Sequence, residues 1–103
     1  MITFKYFKDC PHAGDTLRNL MDLARENLIS EEEIEVVEVP DAAAARECGF
    51  QGSPTILING VDIYTLRKPE GFKYACRVYE FRGKKTGIIP RDFMETRIKE
   101  LRG

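Results

Sequence analysis

A chain of 103 residues, 43% hydrophobic and 32% charged, has apolar mass for one packed domain and the composition of an ordinary soluble globular protein. No apolar run approaches the ~20 residues that span a bilayer, and "MITFKYF" lacks the basic-then-apolar pattern of a secretory leader, so a cytoplasmic, membrane-free setting is expected. Charge divides unevenly, with 5 basic and 12 acidic side chains in residues 1–64 and 11 basic and 5 acidic in 65–103; this dipole is able to steer an anionic partner, but no nucleic-acid reader motif accompanies it.

"ITFKYF" (2–7) mixes aromatic and β-branched residues and reads as a strand. Leu17, Leu20, Met21, Ala24 and Leu28 recur at helical spacing, which predicts an amphipathic helix over 11–29 with Pro11 at its first position. "EIEVVEV" (33–39) is a second strand. Asp41 is a good N-cap for the short helix "AAAAREC", whose alanines suit close packing on a sheet. "SPTILING" opens a third strand, and Asn59-Gly60 predicts a hairpin that returns "VDIY" antiparallel to "TILI". Residues 65–87 read as an irregular insertion, with "ACRVYEF" of strand composition between loop-like "LRKPEGFK" and "RGKK", so that the fourth strand is "VDIY", "ACRVYEF" or both. Tyr64, Phe72, Tyr74, Tyr79 and Phe81 are expected mostly in the core. Phe93, Met94, Ile98 and Leu101 mark a C-terminal helix from about Pro90. The expected class is α/β, ordered β-α-β-α-β-β-α, with a central mixed four-stranded sheet flanked by helices.

Three cysteines, an odd count, argue against a secreted disulfide scaffold and for free thiols. Cys10 falls between the first strand and the first helix. At a helix N-terminus, unpaired N–H groups and the macrodipole favour thiolate, the form that attacks disulfides and binds soft metals. A dithiol loop would carry a second cysteine at position 13, which is Ala13. His12 is expected to be exposed in the first helical turn, where its cation would favour a thiolate or its imidazole would ligate metal. Cys48 lies on the Ala44/Ala45 side of its helix and is expected to be buried against the sheet. Cys76 follows a Pro/Gly loop able to fold over Cys10, and is the preferred partner thiol. On the residues alone Pro54 reads as the opening residue of an edge strand rather than as a cis-proline, since only about 5–6% of X–Pro bonds are cis.

The strand, the Cys10-Pro11 pair, the helix and the later Gly52-Ser53-Pro54-Thr55 before a hairpin together resemble the thioredoxin-fold superfamily. More narrowly, "YFKDCPHAGDTL", "GFQGSPTILINGVD" and "CRVYEF" are similar to short prokaryotic thioredoxin-like proteins that share Cys-Pro-His, Gly-Ser-Pro-Thr and Cys-Arg-Val/Leu-Tyr elements. Some of these carry an alkylmercury-lyase-like label. Many have Trp where this chain has Ala13.

The resemblance implies one thioredoxin-like domain over 1–103, with Cys10 as catalytic nucleophile and Pro54 as a cis-proline facing it. It further implies that Ser53 offers its main chain to an extended thiol substrate, and that Pro11, His12 and Thr55 complete a substrate-binding surface. Cys10 then works as a monothiol, resolved by glutathione as co-substrate in glutaredoxin-like fashion, or pairs with Cys76. The expected function is thiol–disulfide exchange with protein or small-molecule thiols and disulfides, with no resident cofactor or metal. Two alternatives stand beside it: a non-catalytic binding module on the same fold, and a thiolate site for Hg, Cu or Zn.

Overall fold

The computed structural model describes residues 1–102. In chain order its strands are β1 (Ile2–Tyr6), β2 (Ile34–Glu38), β3 (Gln51–Ser53), β4 (Thr55–Ile58), β5 (Val61–Asp62), β6 (Lys73–Cys76), β7 (Tyr79–Phe81) and β8 (Lys84–Thr86). The helices are α1 (Ala13–Arg25), α2 (Ala42–Cys48) and α3 (Arg91–Arg102). A mixed four-stranded sheet runs β2-β1-β4-β5, parallel between β1 and β2 and antiparallel elsewhere. The expected α/β class, with a mixed sheet of four strands and three helices, is what the chain forms.

The strand period of two sends Ile2, Phe4, Ile56 and Ile58 to one face. There they pack with Leu20 and Leu23 of α1 and with Met94 and Ile98 of α3 in one core. A smaller core holds Val39, Ala45 and Phe50 around α2. Asp41 caps α2, its carboxylate accepting from the Ala44 N–H at 2.8 Å, as its residue type predicts.

Several boundaries differ from expectation. Helix α1 starts at Ala13, with His12 as N-cap, so Pro11 lies outside the helix. It ends at Arg25 because Asn27 turns left-handed (φ 62°) and Leu28 N–H bonds back to the Leu23 carbonyl at 3.0 Å. Leu28 is therefore exposed, and Ile29 is buried. Ser30 and Glu33 form a capping box around a 3-10 turn, Glu31–Glu33, that precedes β2.

Within 65–87, residues 65–72 are irregular as expected, but the rest is not. Strand β6 pairs in parallel with β3 (Gln51 opposite Lys73, Ser53 opposite Cys76), and β7 and β8 form a hairpin. The "ACRVYEF" run is thus split between two small sheets, and the fourth strand of the main sheet is Val61–Asp62 after the Asn59-Gly60 turn. The aromatic residues divide too: Tyr79 is buried and Tyr64 and Phe81 are half-buried, whereas Phe72 and Tyr74 are exposed. Among the described residues, no helix is long and apolar enough to cross a membrane.

Candidate functional site

Antiparallel pairing of β1 with β4 sets the end of one beside the start of the other, Lys5 opposite Thr55. The loop after β1 and the Ser53-Pro54 turn before β4 therefore meet at one edge of the sheet. Phe7 N–H donates to Ser53 Oγ at 3.3 Å, and Cys10 N–H donates back to the Phe7 carbonyl at 3.1 Å. These bonds fix Cys10 in a turn beside Ser53. The Ser53–Pro54 peptide is cis.

Cys10 precedes the first helical residue by three positions, so it does not occupy the helix terminus that the sequence implied. It is 8% exposed and joins the main core. Against it stands Cys76, at the end of β6 and exposed. The Cys76 thiol is pushed above its ordinary pKa by local desolvation, by the charge of Cys10, and by a hydrogen bond to the Cys10 side chain.

The other residues of the predicted surface separate. Ser53, Pro54 and Thr55 are buried, with Ser53 opposite Cys76. Pro11 is exposed between Cys10 and α1. His12 is not an exposed residue of the first turn: it is half-buried beneath Gly87, where a Cβ would come within 2.1 Å of His12 Cδ2. Cys48 is not buried on the sheet. It is exposed at the end of α2, where its thiol donates to the Ala45 carbonyl at 3.9 Å. The seven-residue helix stops at Gly49, in a left-handed turn, before that side of its last turn is covered.

A polar cluster follows Cys76 in the chain, and the sequence reading did not single out its two charged members, Arg77 and Asp62. Arg77 Nη1 donates to Asp62 Oδ2 at 2.7 Å and to Thr55 Oγ1 at 3.1 Å, and its guanidinium stacks 4.7 Å over the Tyr79 ring. The two charged side chains are only 12% and 3% exposed. Asp62 also accepts from Tyr64 N–H at 2.8 Å, and the Thr55 hydroxyl donates to the Gly52 carbonyl at 2.5 Å. The Tyr79 hydroxyl donates to the Pro54 carbonyl; burial holds it protonated, well above the ordinary phenol range. The sequence signals for this cluster are Thr55 in the Gly-Ser-Pro-Thr run and Arg77 with Tyr79 in the Cys-Arg-Val-Tyr element; nothing in the spacing pairs Arg77 with Asp62.

The arrangement brings two thiols to the same side of Ser53, one buried and the other exposed. No group of three or more His, Cys, Asp or Glu among the described residues is placed to hold a metal ion. No family model matches the chain, and no curated protein or solved structure matches it.

Proposed function

We propose that the chain is a thioredoxin-like thiol–disulfide oxidoreductase in which Cys10 is the attacking sulfur and Cys76 the resolving one. One observation carries the reading: Cys76 ends β6 opposite Ser53, the residue whose hydroxyl holds the turn that carries Cys10. The order β-α-β-α followed by a hairpin and a C-terminal helix supports the thioredoxin-like resemblance. The setting is the reducing cytoplasm, and the partners are thiols and disulfides.

In the forward direction Cys10 thiolate attacks one sulfur of a disulfide R–S–S–R′ and expels R′S⁻, which takes up a proton. Cys76 then gives up its proton and attacks Cys10 Sγ, expelling RS⁻. The substrate gains two electrons and two protons, and the two protein thiols become a disulfide. Two molecules of a cellular thiol such as glutathione restore the reduced pair and leave as their own disulfide.

Mild oxidation by glutathione disulfide, with peptide mapping by mass spectrometry, tests this. The wild type is expected to give a Cys10–Cys76 link, and Cys76→Ser a Cys10–glutathione adduct. A Cys10–Cys48 link, or no modification at Cys10, overturns the reading.

The same pair of facing thiols suits a second reading, two-thiolate binding of a soft ion such as Hg(II) or Cu(I). Stoichiometric metal uptake lost in both Cys10→Ser and Cys76→Ser, with no disulfide turnover in the wild type, supports that reading over the first.

A further inference from the structure

An extended polypeptide that approaches a buried sulfur must satisfy its own N–H and C=O groups, and the common means is to add a strand to an open sheet edge. The edge beside Cys10 is β3. That edge is already filled. Lys73 N–H donates to the Phe50 carbonyl at 2.6 Å, and Arg77 N–H donates to the Ser53 carbonyl at 2.8 Å.

Side chains fasten the same segment along its length. Gln51 Nε2 donates to the carbonyls of Glu70 and Gly71 at 3.1 and 3.2 Å. Tyr74 packs 5.3 Å from Phe7 and 6.3 Å from Phe50, between centroids. At the far end, Arg77 plunges into the buried ion pair with Asp62. At Gly52 (φ 105°) the two segments leave no room for a side chain, since a Cβ there would lie 3.0 Å from Arg77 Cβ and 3.1 Å from the Ala75 carbonyl oxygen.

We infer that Lys73–Arg77 is a tethered occupant of the main-chain edge beside Cys10, and that it selects compact disulfides over extended polypeptide ones. The inference rests on the redox reading above and adds the substrate class to it. A compact disulfide without peptide groups needs only a path to one sulfur. A polypeptide disulfide must first displace a strand that carries the resolving thiol. The 8% exposure of Cys10 points the same way.

The test isolates the first exchange in a Cys48→Ser/Cys76→Ser background, in which Cys10 is the one remaining thiol. Mixed-disulfide formation is followed by mass spectrometry with hydroxyethyl disulfide and with an octapeptide dimer joined through a central cysteine. Each rate is divided by that of the same disulfide with free cysteine, which removes intrinsic reactivity. The compact probe is expected to react faster by about tenfold or more, the scale set by breaking a few main-chain hydrogen bonds.

Adding Asp62→Asn with Arg77→Gln exchanges the buried ion pair for a neutral polar one, so that no buried charge is stranded. Amide exchange at Lys73 and Arg77 should then accelerate, and the peptide probe should gain most of the missing rate. Equal normalised rates in the starting background overturn the substrate class and leave the redox reading standing. A strand shown loose by amide exchange, with no gain for the peptide, does the same. Reaction with neither probe overturns the redox reading, and the substrate class falls with it.

Discussion

Cys10 and Cys76 have similar side chains in opposite surroundings, one almost covered and the other open to solvent. Two of the three causes that raise the Cys76 pKa come from Cys10, namely its charge and the hydrogen bond between the thiols. The sign is definite: a raised value favours the protonated thiol, so Cys76 ionises at higher pH than an ordinary cysteine and its alkylation lags in mildly alkaline solution. Cys10→Ala removes both causes and leaves desolvation. The pH midpoint for iodoacetamide alkylation of Cys76 should move down in that variant, with faster labelling near pH 8. An unchanged midpoint would mean that the two thiols do not communicate. Arg77, the next residue, acts on the same geometry from below. Its guanidinium makes the burial of Asp62 sustainable, since an unpaired buried carboxylate costs about 3–5 kcal/mol, and the bond fixes the backbone that carries Cys76.

Strand β6 belongs to the site only because β3 accepts it, and Gly52 decides how closely. An alanine there meets the Ala75 carbonyl, which cannot rotate aside, and holds φ 105°, which L-residues rarely adopt. Gly52→Ala is expected to cost about 1–3 kcal/mol in urea unfolding and to raise amide exchange at Arg77 more than at Ile56 in the main sheet. Equal exchange at both would show that Gly52 does not seat the strand. Such pairing also marks the limit of what the sequence discloses. The main-sheet strands, the Asn59-Gly60 turn, the Asp41 cap and the start of α3 at Pro90 follow from local chemistry, and were legible. A three-residue strand such as Gln51–Ser53 has no period to read, and its partner lies some twenty residues on. The β7–β8 hairpin was missed because its turn is Arg82-Gly83, in which Arg82 takes a left-handed conformation (φ 53°) seldom chosen by that residue type. At the site, the thiols and the Gly-Ser-Pro-Thr run stood out by residue type. Arg77 and Asp62 did not, because both types are ordinarily at the surface and only tertiary packing buries them.

On the scale of the whole molecule, the two thiols join distant parts of the chain. Cys10 follows the first strand of the main sheet, and Cys76 ends a strand of a separate small sheet. A bond between them closes a loop of about 67 residues, which removes roughly 4 kcal/mol of conformational entropy from the unfolded chain. β3 already holds β6 with Cys76 opposite Ser53, beside the turn that carries Cys10, so the native state is expected to keep this gain. Oxidation should therefore raise Tm steeply. With about 4–8 °C per kcal/mol for a domain of this size, the rise approaches 15 °C or more. Calorimetry of the oxidised protein, with the bond verified by mass spectrometry, should show this rise, and dithiothreitol should abolish it. Cys76→Ser should melt at one temperature under both conditions. A verified bond with no rise in Tm would mean that bonding strains the native fold by as much as it restrains the unfolded one, and the seating of Lys73–Arg77 against β3 would then not be the arrangement in which the two sulfurs join.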